Sequence, residues 1–133
     1  MLQHLNTLWP PHAQHAHPSW NAALYDGHIV VEFLGHVDAD AGATSAEWAL
    51  SPLRQQELHL VFIAAGMTGY DTAARKAWQQ LLFPFRHNLL SVHLASDSAV
   101  MKLGVTMFGI ALDVDTHMHA TSESLLRSLG HDA

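Results

Sequence analysis

Apolar and polar residues alternate in several short runs and recur at helical spacing in the segments between them, the mixture an α/β domain requires. In Glu57–Phe85, Leu58, Leu60 and Phe62 alternate with His59, Val61 and Ile63, which predicts an interior strand ending near Ala64-Ala65-Gly66. Met67–Tyr70 reads as a loop. Asp71 falls at a helix N-cap, where its carboxylate can accept first-turn backbone N–H groups. Ala74, Ala77, Trp78, Leu81, Leu82 and Phe85 follow at helical spacing, and Pro84 should end or kink that helix near Phe83.

The same reading extends along the chain. Met1–Ser19 has no charged side chain apart from histidine and carries Pro10, Pro11 and Pro18, which predicts an extended arm, disordered or laid across a neighbour, preceded by a short Leu2, Leu5, Leu8, Trp9 stripe. Trp20–Tyr25 and His28–Leu34 read as a hairpin about Asp26-Gly27, with Ile29, Val31 and Phe33 on one face. Asp38–Leu53 predicts a helix that Gly42 and Pro52 weaken. Leu89–Ala95 predicts a strand with Leu90, Val92 and Leu94 on one face. Ser96-Asp97-Ser98 would cap a helix whose apolar stripe is Val100, Leu103, Met107, Phe108 and Ala111. A strand over Val114–Ala120 and a helix from Ser122 carrying Leu125, Leu126 and Leu129 close the chain. The expected architecture is a single mixed sheet of about five strands, an N-terminal hairpin followed by parallel βα units, packed with about four helices in one domain over 20–133.

Composition narrows the function classes. A 133-residue chain that is 49% apolar suits one core. Having no cysteine, it has no disulfide, thiolate zinc site or cysteine nucleophile, and it fits a reducing compartment, so a cytoplasmic location is expected. A net charge of −6 with six Lys and Arg residues argues against nucleic acid as a partner. The most apolar late stretch, Leu103–Leu112, is too short for a membrane span.

The element order from Trp20 to Leu129, with the strand, loop and helix start around Asp71, resembles the STAS family, the sulfate-transporter and anti-sigma-factor-antagonist domain, and its wider relatives that include CRAL-TRIO lipid-binding domains. The family opens that helix with Asp-Ser-Ser-Gly, its second Ser being phosphorylated by a partner kinase. The matching residues are Asp71-Thr72-Ala73-Ala74, so Ala73 stands where the phosphoacceptor should be and that switch cannot operate there. Thr72 is the hydroxyl left for a phosphate, favoured at a helix N-terminus. Tyr70 before the Asp and Trp78 in the helix also match a bacterial STAS-like subgroup of unassigned function. The resemblance implies a non-enzymatic regulatory or interaction module that binds a protein partner through Thr68, Tyr70, Asp71, Thr72, Arg75, Ser96 and Ser98.

Twelve histidines supply the alternative chemistry. Strand alternation puts His28, Glu32, His59, Ser91, His93, His117 and His119 on the sheet face away from the core, and Glu32, His59, His93, His117 and His119 are suitable donors for zinc, nickel or copper if the strand order gathers them. His12, His15 and His17 form a looser cluster in the arm, suited to adventitious metal capture. A pocket under the Trp78 helix, roofed by Phe83, Phe85, Met107 and Phe108, could hold a lipophilic ligand, although Trp78 and its stripe are most simply core. No Gly-x-Ser-x-Gly elbow or phosphate-binding loop is present, and Asp113 and Asp115 with His117 suit an exposed edge better than an acid/base pair. No enzymatic activity and no cofactor are expected. A homodimer is expected from the polar sheet face and the proline-rich arm.

Overall fold

The computed structural model describes residues 15–128. Its elements run β1 (His15–His17), β2 (Trp20–Tyr25), β3 (His28–Val37), α1 (Ala39–Leu53), β4 (Leu58–Tyr70), α2 (Thr72–Leu82), a 3-10 segment (Phe83–Asn88), β5 (Leu89–Ala95), α3 (Ala99–Leu112), β6 (Thr116–His119) and α4 (Ser122–Ser128). The sheet order is β1-β2-β3-β4-β5-β6, antiparallel across the first three strands and parallel from β3 onward. The single mixed sheet with four α-helices is therefore as expected, with one strand more. That strand, β1, pairs with β2 and brings His15–His17 of the predicted arm into the sheet. The Leu2–Trp9 stripe, His12 and Leu129 lie outside the described residues.

The hairpin forms at Asp26-Gly27, both at positive φ (51° and 77°), as a two-residue primed turn requires. Each later strand is added on the same side of its predecessor. Right-handed crossovers that always step in one direction place their helices on one face, and α1, α2 and α3 share the main core there with Ile29, Val31, Phe33, Leu60, Phe62, Val92 and Leu94. Leu125 of α4 packs on the other face, against Val30, Val61, Ile63 and Ala95.

Four expectations are corrected. Met67–Tyr70 is not a loop: β4 continues to Tyr70 because β3 also runs on to Val37 and supplies partners, Gly35 to Met67, His36 to Gly69 and Val37 to Tyr70. The register shift between Gly35 and His36 leaves Thr68 as a bulge residue. Leu90 is exposed, because a bulge between Leu58–Leu89 and His59–Ser91 turns it outward and gives Leu89 its place in the core. The stripe of α3 is rotated from the expected one: Met101, Gly104, Phe108 and Leu112 are buried, whereas Val100, Leu103 and Met107 are exposed. The last strand is trimmed to Thr116–His119, with Asp113 ending α3 in the left-handed conformation (φ 55°).

The glycine that weakens α1 as an isolated helix is what lets it pack. A Cβ on Gly42 would lie 2.5 Å from both Cα and Cβ of Ala74, where α1 crosses α2. Gly42→Ala gains about 1 kcal/mol of helix propensity but forces the two backbones apart. A net loss of about 1–2 kcal/mol in urea unfolding is expected, in the range of overpacked cores. A neutral or stabilising result would show that the helices separate freely.

Candidate functional site

Beyond Ala95, β5 has ended while β4 and β3 continue side by side, leaving a shelf at the C-terminal edge of the sheet. The shelf carries Thr68 and Tyr70, and α2 starts from Asp71 at its end. Asp71 has extended backbone (φ −78°, ψ 143°) and its carbonyl accepts from the Ala74 N–H, as an N-cap should, yet its carboxylate caps nothing. Asp71 Oδ1 instead lies 2.8 Å from His36 Nε2, with the two side chains 49% and 54% exposed. The contrast with Asp38 is informative: there the carboxylate does accept from Ala41 N (2.8 Å). At Asp71 the His36 ring on the adjacent strand takes the carboxylate, correcting the expected capping bond. An exposed pair of this kind contributes at most about 1 kcal/mol, so its geometry matters more than its energy.

An apolar pocket of about 80 Å³ opens on this shelf between α2 and α3. Phe33, Phe62, Trp78 and Phe108 form its floor and walls, and Met67, Tyr70, Arg75, Met101 and Gly104 line it toward the shelf and α3. The Tyr70 hydroxyl packs against the bare Cα of Gly104, where a Cβ would oblige the tyrosine ring to shift. The roof differs from expectation. Phe83, Phe85 and Met107 do not line the pocket. The two phenylalanines lie in the 3-10 segment, where Arg86 sits 4.0 Å above the Phe83 ring and Arg54 5.6 Å above Phe85, and Met107 is turned outward on α3.

The predicted partner-binding residues divide into two groups. Thr68, Tyr70, Asp71, Thr72 and Arg75 share the shelf and the start of α2; Thr68 and Thr72 are exposed, and Tyr70 and Arg75 half-buried. Ser96 and Ser98 lie lower, where Ala95 pairs with Ile63, and their hydroxyls are used locally: Ser96 Oγ accepts from Ser98 N (3.1 Å) and Ser98 Oγ from Met101 N (3.4 Å). They hold the start of α3, and neither lines the pocket. His36 is the shelf residue that reasoning from the sequence missed; the clue available was its place one residue past Gly35, where β3 could have been continued.

On the opposite face the histidines do gather. The His28 ring stacks on His59 at 4.8 Å, and His93 stacks on His117 at 4.7 Å and on His119 at 5.5 Å. A hydrogen-bond chain links them: His59 Nδ1 to Ser91 Oγ (2.6 Å), Ser91 Oγ to His93 Nε2 (3.1 Å) and His93 Nδ1 to His119 Nε2 (3.3 Å). The Ser91 hydroxyl bridges the two rings, its donor and acceptor roles following their tautomers. Burial, together with the neighbouring imidazoles, pushes His93 down to about 4 and also lowers His59 and His119, so the three rings are neutral at pH 7.

Glu32 is not part of that array. It shares the face but is fully buried, four residues along β3 from His28, with Ile63 and Ala95 between it and His119. Burial raises its pKa to about 7; the Asn21 amide opposite it pulls the value partly back without reaching hydrogen-bond geometry with either carboxylate oxygen. Among the described residues no three His, Asp or Glu side chains converge as a metal-binding group, which corrects the expected gathering of Glu32 with the histidines. In the arm, His17 stacks on Trp20 at 5.5 Å; its expected cluster with His12 and His15 falls outside what can be described.

The sheet order, the helices on its two faces and the shelf define an α/β domain of the SpoIIAA-like, or STAS, fold. The chain superposes on the anti-sigma factor antagonist SpoIIAA in its unphosphorylated form with a TM-score of 0.62 and 15% identity, over 84% of this chain and 98% of that one. It is equally similar, with a TM-score of 0.62 and 9% identity over 84% and 92% of the two chains, to an uncharacterised protein of the DUF3478 family from Shewanella loihica PV-4, which also has a SpoIIAA-like fold. No family model matches the chain, and no curated protein matches it in sequence. Among the described residues no helix is long and apolar enough to cross a membrane.

Proposed function

We propose that the chain is a non-enzymatic interaction module that docks a protein partner on the shelf formed by Met67–Arg75. The observation that supports this most is the outward placement of Asp71: its carboxylate is held by His36 at the surface rather than spent on the helix start, beside an apolar mouth and the half-buried Arg75. A charged residue fixed at the rim of an apolar depression is the usual anatomy of a protein-binding patch. SpoIIAA is an anti-sigma factor antagonist, and the likeness of fold makes a regulatory role of that kind the natural model. With Ala73 in the acceptor position, binding here does not depend on phosphorylation at that residue; Thr72, exposed in the first turn, is the hydroxyl a kinase would meet instead. The module acts in the cytoplasm on this reading.

A second reading, a lipophilic ligand in the pocket, is favoured by the aromatic lining. Size ranks it second: about 80 Å³ is small against the roughly 300 Å³ or more of ordinary ligand sites.

Affinity capture from the source cell with wild type and Asp71→Lys tests the choice. The variant should stay within about 1 kcal/mol of wild-type stability and lose a protein that wild type retains. Equal retention by both refutes docking on the shelf, and a small-molecule mass released on denaturing native complexes would favour the pocket.

A further inference from the structure

Four of the exposed large apolar side chains of this fold lie on one helix. Val100, Leu103, Met107 and Ile110 of α3 are 61, 62, 41 and 76% exposed. Their spacing of three, four and three residues is the a/d seam of a coiled coil, carried through the two heptads that make up the helix. The opposite side of α3, Met101, Gly104, Phe108 and Leu112, is already buried against the sheet and α2, so the seam is not a misplaced core stripe. It lies apart from the shelf used above.

What fits the seam follows from its own order. Reversed about its midpoint, the stripe maps onto itself: Val100 falls on Ile110 and Leu103 on Met107. In antiparallel helix pairs each a position meets a d position of the partner, so two copies of α3 related by a two-fold axis would form the layers Val100–Ile110 and Leu103–Met107, each pairing a smaller or branched side chain with a longer one. Charge does not oppose the contact, because Lys102 is the one charged residue within α3. The four side chains leave several hundred Å² uncovered on each copy, beyond what scattered surface residues present, and a two-fold pair would bury on the order of 1,000 Å², the floor for a specific interface. We infer that α3 is a homodimerisation surface at which a second copy of this chain packs antiparallel, Val100 against Ile110 and Leu103 against Met107.

The interface differs from the polar sheet face that the sequence suggests for a dimer, and it makes the assembly a reversible, concentration-dependent one. Sedimentation of the full chain across a concentration series should show a monomer–dimer equilibrium, and Ile110→Glu or Leu103→Glu should weaken it at least tenfold with circular dichroism and melting unchanged. Since the chain has no cysteine, orientation can be read by oxidation: Leu103→Cys and Met107→Cys should cross-link when mixed and neither when alone. A strict monomer at every concentration, or a dimer that survives both Glu variants, overturns the proposal. Cross-linking of Leu103→Cys to itself overturns the antiparallel arrangement, and a monomer whose seam instead binds lipid vesicles overturns the choice of occupant.

Discussion

Replacing Trp78 by alanine is expected to cost about 3–5 kcal/mol, the range for truncating a large buried aromatic. Trp78 is 4% exposed, and three rings from three elements meet it edge-on: Phe62 of β4 at 5.0 Å, Phe33 of β3 at 6.3 Å and Phe108 of α3 at 6.3 Å. Its indole N–H donates to Ser45 Oγ (3.1 Å), and that hydroxyl donates in turn to the Gly42 carbonyl (3.0 Å). One side chain therefore joins α1, α2, α3 and the sheet. Domains of this size are stable by only about 5–15 kcal/mol, so Trp78→Ala should bring the fold close to its limit, with near-ultraviolet circular dichroism lost at much lower urea. Trp78→Phe keeps most of the ring contacts and leaves Ser45 its bond to Gly42, so its loss should be much the smaller. If Trp78→Ala cost under about 1 kcal/mol, the aromatic cluster would not be what holds these elements together.

Stability should depend on pH through two opposed groups on the other face. His93 titrates near 4 in the fold against 6.5 when free, so unfolded chains bind more protons between those values. Its contribution is fully present above pH 6.5 and is lost as the pH falls toward 4; His59 and His119 act in the same direction. Glu32, raised from 4.5 to about 7, has the reverse sign: its contribution is present below pH 4.5 and is lost as the pH rises through 7. Each shift corresponds to about 3 kcal/mol at most. Between pH 4.5 and 6.5 they offset one another, with the histidines ahead, and stability should peak near pH 6.5. Glu32→Gln separates them. Relative to wild type, this variant should gain up to about 3 kcal/mol on going from pH 4.5 to 8, read as the difference between two urea titrations at each pH. A difference that does not change with pH would mean that the carboxyl is solvated in the folded state.

How much of this was legible depended on the range of the interactions concerned. Asp26-Gly27 and the alternation of Ile29, Val31 and Phe33 against His28 and Glu32 are decided within a few residues and are legible in the sequence; the Asp38 cap is equally local but was not anticipated. The histidines could be assigned a face but not neighbours, because alternation says nothing of strand order; the order then separated Glu32 from them. The end of β4 looked like a loop because Thr68, Gly69 and Tyr70 lack strand patterning, and only their pairing with the tail of β3 keeps them extended. Asp71 lost its capping bond to His36, a partner 35 residues away. In α3 nearly every residue is apolar, so periodicity offers several stripes, and which one is buried is decided by Tyr70 and Trp78 arriving from elsewhere.

The strands lie in space in the order in which they occur in the chain. A chain emerging from a ribosome N-terminus first would thus present each new strand with a neighbour already outside, and no strand must wait for a later one before it can pair. β3 and β4 are joined through α1, and β4 and β5 through α2 and the 3-10 segment, so every closure spans a short stretch of chain and costs little loop entropy. The sheet can grow by accretion at one advancing edge, which the four-residue β6 then finishes with little backbone left for another chain to pair with.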